Sequence, residues 1–284
     1  MSEETPPSPY PSPITLSPIT LHLVTLSSMI KSLIRILINH IPRRWIQPVV
    51  GYIMPVAGLF YAGRRVQCPV CRHAYRKFMP YGYVHSRENA LCPHCLSLER
   101  HRLMWLYLQN ETGFFHHPCR LLHIAPEKCF LKPFSRLLGN DYLTADLESP
   151  WAKVKMDVQH IPFGENEFDV IFCNHLLEHV TDDRQAMREM FRVLRPGGWG
   201  ILLSPVTVGK KETYEDPSIT TPQARLKAYG QSDHLREYGE DYVRRLAEAG
   251  FKVQAIDYAK ILPVQDVLAF GLRPEMIYVV RKIQ

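Results

Sequence analysis

Apolar residues along this chain recur with two different periods. From residue 120 onward, short apolar runs alternate with segments in which apolar positions return every three or four residues, which favours strands separated by helices. Strands are predicted at 120–125, 142–146, 154–157, 168–174, 199–205, 251–258 and 276–283. This alternation predicts an α/β fold with a doubly wound, seven-stranded, mostly parallel sheet covered on both faces.

Helices are predicted between these strands. One follows the first strand and ends at about Leu138, and others span 182–194 and 240–250. Asp182 and Asp183 favour the start of the second of these through the helix dipole. The sequence RPGG at 195–198 is predicted to end it, with glycine supplying a positive φ. Ahead of the sheet, 98–110 also has a helical pattern.

The N-terminal region differs in composition. Residues 1–28 are rich in Pro, Ser and Thr and are predicted to be a disordered tail, with Met29 as a candidate translation start. Residues 29–63 form an amphipathic and then apolar segment, whose Ile/Leu stripe fits either a helix on a membrane surface or a helix packed on the main domain. Prolines and glycines in its uncharged second half argue against a membrane-spanning helix.

Charge is unevenly distributed along the chain, which has a formal net charge of +6. Residues 29–102 contain twelve Lys or Arg against two Glu, a net charge of +10. Such a region suits anionic lipid, nucleic acid or an acidic substrate. No basic secretory signal is evident, so we expect reduced thiols and a cytoplasmic protein, with residues 29–62 able to associate with an anionic membrane.

Four of the seven cysteines form two C-x-x-C pairs. Four thiolates at this spacing predict a tetrahedral zinc site in a small zinc-ribbon-like element over 64–110. The alternative is a pair of disulfides, which the absence of a secretion signal disfavours. Because four Cys leave no open position, the zinc would be structural. The predicted ligands are Cys68, Cys71, Cys92 and Cys95.

The sequence IPFGENEFDVIFCNHLLEHVTDDRQAMREMFRVLRPGGWGIL (161–202) resembles the class I S-adenosylmethionine-dependent methyltransferases, in particular the type 11 group. The stretch from Cys68 to about Tyr258 is also similar to bacterial zinc-knuckle proteins that carry this domain. The resemblance implies a Rossmann-like methyltransferase domain over 111–284 with S-adenosylmethionine as the methyl donor.

Ligands of doubly wound sheets bind beyond the carboxyl ends of the strands, and this places the implied cofactor site. Asp146 would accept hydrogen bonds from the ribose hydroxyls, although a turn residue is the alternative reading. Asp157 matches the position that faces the adenine, and the end of the fourth strand matches the one that faces the sulfonium. The full set of implied cofactor contacts is Ala125, Pro126, Glu127, Asp146, Leu147, Asp157, Val158, Asn174 and His175.

The first turn departs from the family pattern of an acidic residue followed by alternating glycines. The sequence HIAPEKCF (123–130) has His123 at the acidic position, Ala125 at the first glycine and Glu127 at the second. Bulkier residues would hinder close approach of the backbone to the cofactor. Either Glu127 contacts the cofactor ammonium or binding is weakened, which leaves open a non-catalytic protein on a degenerate fold.

An insertion at 209–238 is predicted to cover the site. It concentrates aromatic and polar residues, and we expect it to bring His234 towards Asn174 and His175. His175 and His234 are the predicted catalytic bases, since histidine titrates near neutral pH. The expected acceptor is a small or lipid-linked molecule. An RNA methyltransferase that uses the zinc element and the basic arm is the alternative.

Overall fold

The computed structural model describes residues 54–82 and 86–283. The predictions for 1–28, for the stripe within 29–63 and for Met29 lie outside these residues. Within them, no helix is long and apolar enough to cross a membrane. The strands are β1 Ala62–Gln67, β2 Ala74–Tyr75, β3 Met79–Tyr81, β4 Arg87–Leu91, β5 Leu121–Ile124, β6 Tyr142–Asp146, β7 Val154–Lys155, β8 Phe168–Asn174, β9 Leu194–Leu203, β10 Lys252–Ile256 and β11 Ile277–Arg281.

Seven of these strands form the predicted doubly wound sheet. Their order is β10-β11-β9-β8-β5-β6-β7, and β11 runs antiparallel to both of its neighbours while the other pairs are parallel. The predicted α/β fold with a mostly parallel sheet is therefore confirmed. The helices are α1 Glu99–Glu111, α2 Lys128–Leu138, α3 Asp183–Val193, α4 Pro222–Tyr229, α5 Tyr242–Glu248, α6 Tyr258–Ile261 and α7 Val264–Ala269.

Both faces of the sheet are covered, and the central strand β8 shows how. Its side chains alternate, so that Phe172 packs with α1 and α2 on one face while Ile171 packs with α3 and α5 on the other. Phe172 is fully buried and Ile171 almost so. A strand buried on both faces needs a continuous apolar run, which residues 170–173 provide.

The helix before β9 does not end as the sequence predicts. Helix α3 ends at Val193, and β9 begins at the next residue, so that RPGG lies inside the strand. Gly197 does have a positive φ of 79°. The neighbouring glycines serve close packing instead: a Cβ on Gly200 would lie 2.5 Å from the carbonyl oxygen of Ile171 on β8. The prediction of a glycine helix stop was wrong because strand pairing takes over directly at Leu194.

The cysteine-bearing element comprises two short hairpins, β1–β2 and β3–β4. Arg102 of α1 connects it to the sheet domain. Its buried guanidinium donates to the carbonyl oxygens of Ala90 and Ser97 on the element and to those of Phe270 and Gly271 in the C-terminal part of the chain, at 2.7–2.9 Å. Four charge-assisted hydrogen bonds hold α1, the hairpins and the C-terminal segment in one arrangement.

Candidate functional site

The carboxyl ends of three parallel strands meet at one edge of the sheet. Strand β5 lies between β6 and β8, so Ala125, Asp146 and Asn174 end adjacent strands. In parallel sheets this edge is where ligands bind. The implied cofactor residues therefore come together from three separate segments of the sequence.

The turn after β5 keeps a glycine-like backbone without a glycine. Ala125 has a φ of +51°, and its N–H donates to the carbonyl oxygen of Ala145 at 2.9 Å. The left-handed region costs a non-glycine residue roughly 1–2 kcal/mol. Pro126 is buried behind the turn. The backbone thus takes a path that glycine would favour, even though the side chains there differ from the family pattern.

Glu127 is the centre of a buried polar network at this turn. Its carboxylate accepts from His123 Nε2 at 2.6 Å and from Asn174 Nδ2 at 2.9 Å, and it lies 3.7 Å from His101 Nε2. Burial alone would raise the pKa of Glu127, but hydrogen bonding to His123 together with the nearby imidazoles lowers it to about 2. A permanent negative charge therefore sits where the first turn meets the end of β8.

His123, which occupies the family's acidic position, points away from solvent and supports Glu127. It is fully buried, and its Nδ1 lies 2.8 Å from the hydroxyl of Tyr142. Because Nε2 must donate to the carboxylate, Nδ1 accepts the tyrosine proton. The acidic side chain of this turn is therefore at residue 127, and not at residue 123 where the resemblance implies one.

Asp146 has one oxygen engaged and one available. Its Oδ1 accepts from the backbone N–H groups of Glu148 and Ser149 at 2.7 and 2.6 Å, which is the turn role considered from the sequence. Its Oδ2 makes no hydrogen bond within the described residues. Leu147 beside it is 65% exposed, so it is free to cover a flat ligand. The turn role and the ribose role are compatible here.

Asp157 follows β7, with Val158 buried next to it. Both carboxylate oxygens of Asp157 accept from the side-chain amide of Gln159, and Oδ1 also accepts from the Gln159 backbone. The carboxylate is thus held in a fixed orientation at the outer side of the same edge.

His175, at the end of β8, lies between two carboxylates. Its φ is +51°, its Nε2 lies 3.2 Å from Glu275 Oε1, and its Nδ1 lies 3.4 Å from Glu178 Oε1. Burial and the charge of Arg100 would lower the pKa of His175, but hydrogen bonding to Glu178 and Glu275 raises it. The two contacts hold the His175 ring between Glu178 and Glu275.

The insertion packs against the segment that follows β8. Arg236 donates to the carbonyl oxygens of Leu177, Val180 and Thr181. His234 is only 5% exposed, and its ring forms an edge-to-face contact with His179 at a centroid distance of 4.8 Å. Side-chain ligand atoms of Glu178, His179 and His234 all lie within 4.8 Å of one another. The structure thus brings His234 close to the end of β8 through Glu178.

Burial, and then the charge of His179, lower the pKa of His234. Its imidazole is therefore neutral at pH 7 and can accept a proton. The pKa values of His175 and His234, the two candidate bases from the sequence, are thus shifted in opposite directions.

Four polar residues of the site were missed from sequence. Glu178 lies within the Leu-Glu-His segment of the resemblance, which was a usable signal. Arg100 and His101 lie on a helix that was predicted without any link to the site, and Glu275 follows no motif. Their proximity arises from tertiary packing. The missed residues are Arg100, His101, Glu178 and Glu275.

The four predicted zinc ligands come together in the cysteine-bearing element. All four Sγ atoms lie within 4.8 Å of one another, with Cys68–Cys95 at 3.6 Å and Cys71–Cys92 at 3.7 Å. A tetrahedral zinc with Zn–S bonds of about 2.3 Å separates its sulfurs by about 3.8 Å. All four are free thiols in the structure, which does not support the disulfide alternative. The donor set and its spacing fit zinc.

Each C-x-x-C pair forms the same tight turn. Cys68 N donates to His73 O and Arg72 N to Cys68 O. In the second pair Cys92 N donates to Ser97 O and Leu96 N to Cys92 O, so both bonds recur at the same spacings. Arg72 and Leu96, directly after each pair, have φ near +63°. Hydrogen bonding with the other thiols, Cys71 first, lowers the pKa of Cys68. The turns thus preorganise sulfur ligands without needing the rest of the fold.

The family comparison places a methyltransferase domain model on residues 128–202. The ubiquinone/menaquinone biosynthesis C-methyltransferase UbiE of Pasteurella multocida is 27% identical over 158 residues, which is 49% of this chain and 54% of that protein. The protein of the same name from Idiomarina loihiensis is 40% identical over 65 residues, covering 22% and 26% of the two chains. This chain therefore spans about half or less of the length of these relatives.

Among solved structures, an S-adenosylmethionine-dependent methyltransferase from Mesorhizobium loti is similar at 15% sequence identity. The match covers 63% of this chain and 98% of that one, with a TM-score of 0.42.

Proposed function

We propose that this chain, in which residues 128–202 form a methyltransferase domain, transfers the methyl group of S-adenosylmethionine to a small or lipid-linked acceptor. The observation that carries the proposal is the meeting of Glu127, Asp146 and Asn174 at the carboxyl edge of β5, β6 and β8. The match to the methyltransferase domain model covers two of these three strand ends.

The residues present fit the methyl donor. Glu127 offers a buried carboxylate for an ammonium group, and the Oδ1 atom of Asn174 beside it is buried without a hydrogen-bond partner. Buried polar atoms are rarely left unpaired, so a partner from a ligand is expected. Asp146 Oδ2 is available for a ribose hydroxyl, and Asp157 with Val158 would border the adenine. When bound, the cofactor supplies an activated methyl group.

The chain's own residues would position the acceptor and take its proton. The neutral imidazole of His234 is the proposed general base, because a base must be unprotonated at the working pH. His175 holds Glu178 in place at 3.4 Å. The insertion, which packs against the segment after β8, would cover this end of the sheet and exclude water, and this would strengthen polar contacts inside the site.

The acceptor atom is proposed to be carbon. The support is that both curated relatives are named as C-methyltransferases of ubiquinone and menaquinone biosynthesis. A lipid-linked acceptor also agrees with the proposed membrane association of residues 29–62. The RNA alternative has no contact in the described residues that favours it.

The test combines binding and transfer with the full chain. Calorimetry with S-adenosylhomocysteine should give one site per chain. Labelled S-adenosylmethionine incubated with a membrane lipid extract or with total RNA should then label the lipid fraction. A folded, zinc-loaded protein that binds no S-adenosylhomocysteine would support the non-catalytic alternative. Labelling of RNA with steep salt dependence would support the RNA alternative.

A further inference from the structure

Helix α1 follows the zinc-ribbon-like element, and its first turn lies at the carboxyl ends of β5 and β8, where the cofactor is proposed to bind. Helix α1 begins at Glu99, four residues after Cys95, and Arg102 fixes it to both the hairpins and the C-terminal segment. From this helix His101 approaches Glu127, and Met104 contacts Asn174 Nδ2 through its sulfur at 3.4 Å. The element therefore contributes a wall to the site formed by β5 and β8.

Unpaired polar atoms concentrate at this wall. Within the described residues, four buried side-chain nitrogen or oxygen atoms lack a hydrogen-bond partner. Three of them, Arg100 Nε, His101 Nε2 and Asn174 Oδ1, belong to α1 or to the end of β8 that it covers. Since buried polar groups are normally satisfied, three such atoms in one place indicate a polar ligand.

The two atoms on α1 are hydrogen-bond donors. His101 Nδ1 accepts from the backbone N–H of Leu98 at 3.1 Å, so the proton of the neutral ring is on Nε2. Burial lowers the pKa of His101 to about 3, which keeps the ring neutral. Arg100 carries a guanidinium cation, and its buried Nε has no hydrogen-bond partner within the described residues. Both residues suit an anion.

The adjoining atoms are acceptors. Glu127 Oε1 lies 3.7 Å from His101 Nε2, and Asn174 Oδ1 is the third unpaired atom. The positive charge of Arg100 also reaches the end of β8, because it opposes protonation of His175 there. A donor pair that includes the cation of Arg100, next to an acceptor pair that includes the anion of Glu127, matches an α-amino acid zwitterion, whose carboxylate and ammonium are attached to the same carbon.

We propose that Arg100 and His101 bind the carboxylate of the methionine group of the methyl donor, while Glu127 and Asn174 hold its ammonium. This inference rests on the proposed function. It makes the zinc-ribbon-like element part of the cofactor site. It also accounts for a glutamate in the turn after β5, since Glu127 and Asn174 together would bind the ammonium.

The test compares each variant with wild type for three ligands that differ at the amino acid end, of which the decarboxylated one also carries the methylsulfonium group. S-adenosylhomocysteine carries both charged groups, decarboxylated S-adenosylmethionine lacks the carboxylate, and 5′-methylthioadenosine lacks both. Calorimetry would be run on the full chain as wild type, Arg100→Met and His101→Phe. Arg136→Met, on the exposed side of α2, is the matched control. Zinc content and melting temperature confirm that each variant is folded.

We expect Arg100→Met to weaken the binding of S-adenosylhomocysteine by about tenfold or more, the scale for a charged hydrogen bond. The Kd values of the other two ligands should stay within about twofold of wild type. His101→Phe should show the same ligand selectivity with a smaller loss. Equal losses for all three ligands would overturn the carboxylate assignment, as would no loss for any.

An Arg100→Met variant that binds all three ligands normally but has a raised KM for an acceptor would assign the anion to the acceptor instead. If wild type binds none of the three ligands, the proposed function itself fails. That outcome is distinguishable, because the inference requires a difference between ligands and not an absence of binding.

Discussion

Asp146 carries two separable roles, and two substitutions distinguish them. Oδ1 accepts from the backbone N–H groups of Glu148 and Ser149, while Oδ2 makes no hydrogen bond within the described residues. Asp146→Asn retains a carbonyl oxygen for the turn and replaces the available oxygen with an amide. Asp146→Ala removes both oxygens. The first variant therefore changes the proposed ribose contact while sparing the turn.

The expected magnitudes follow from these contacts. Loss of a charged acceptor for a ribose hydroxyl should cost about 1.5–3 kcal/mol of binding free energy, or about 10- to 150-fold in Kd. Both variants should show this loss with S-adenosylhomocysteine. Asp146→Ala should also lower the free energy of unfolding by about 1–3 kcal/mol, because two backbone donors lose their partner. Asp146→Asn should lower it far less.

Calorimetry measures the first quantity and urea unfolding measures the second. Glu148→Gln is the matched control, since it removes a neighbouring exposed carboxylate without touching the turn oxygen. Asp146→Asn with wild-type affinity, together with a destabilised Asp146→Ala, would show that Asp146 is a turn residue only. The ribose assignment would then be abandoned.

Four further outcomes are expected. Elemental analysis of protein purified under reducing conditions should find about one zinc per chain, and Cys92→Ser should reduce it; a folded wild-type protein without metal would contradict the site. His234→Ala should lower turnover with little change in cofactor affinity. The wild-type rate should fall as the pH drops below the pKa of His234, which is lowered from 6.5, because the imidazole is a base only when it is neutral. A rate that does not change with pH would exclude His234 as the general base. Arg102→Leu should lower the free energy of unfolding by about 3–5 kcal/mol in urea titrations, since four buried carbonyl oxygens lose a charged donor, and an unchanged midpoint would refute this. Deletion of 29–62 should reduce sedimentation with anionic vesicles, whereas equal sedimentation would leave only the packed-helix interpretation.

Local patterns in the sequence were sufficient for the main strands. The predicted bounds of 142–146 and 168–174 agree with β6 and β8, because in both segments the apolar run ends at a polar residue where the strand ends. The turns of the cysteine pairs were equally predictable from the sequence, since the hydrogen bonds of each turn lie within six consecutive residues. The short helices α6 and α7 had no comparable signal.

Where a segment could satisfy its backbone in two ways, tertiary contacts decided. RPGG is compatible with a helix stop, but the pairing of its flanking residues with β8 and the backbone hydrogen bonds of Gly197 and Gly198 with Lys282 draw it into a strand. Similarly, the sequence alone suggested that Glu127 hinders the approach of the cofactor to a turn that usually contains glycine. In the structure it is the shared partner of His123 and Asn174, and that role depends on strands that are not adjacent in the sequence.

By itself, then, the sequence determined the order of the main strands and helices, the edge of the sheet where the proposed cofactor residues lie, and the four cysteines that come together as candidate zinc ligands. These depend on periodicity and on contacts within a few residues. Only the tertiary structure decided that α1 brings His101 within 3.7 Å of Glu127, and that the pKa of His175 is raised while that of His234 is lowered. Both outcomes depend on burial and on charges contributed by segments far apart in the chain, which no local pattern encodes.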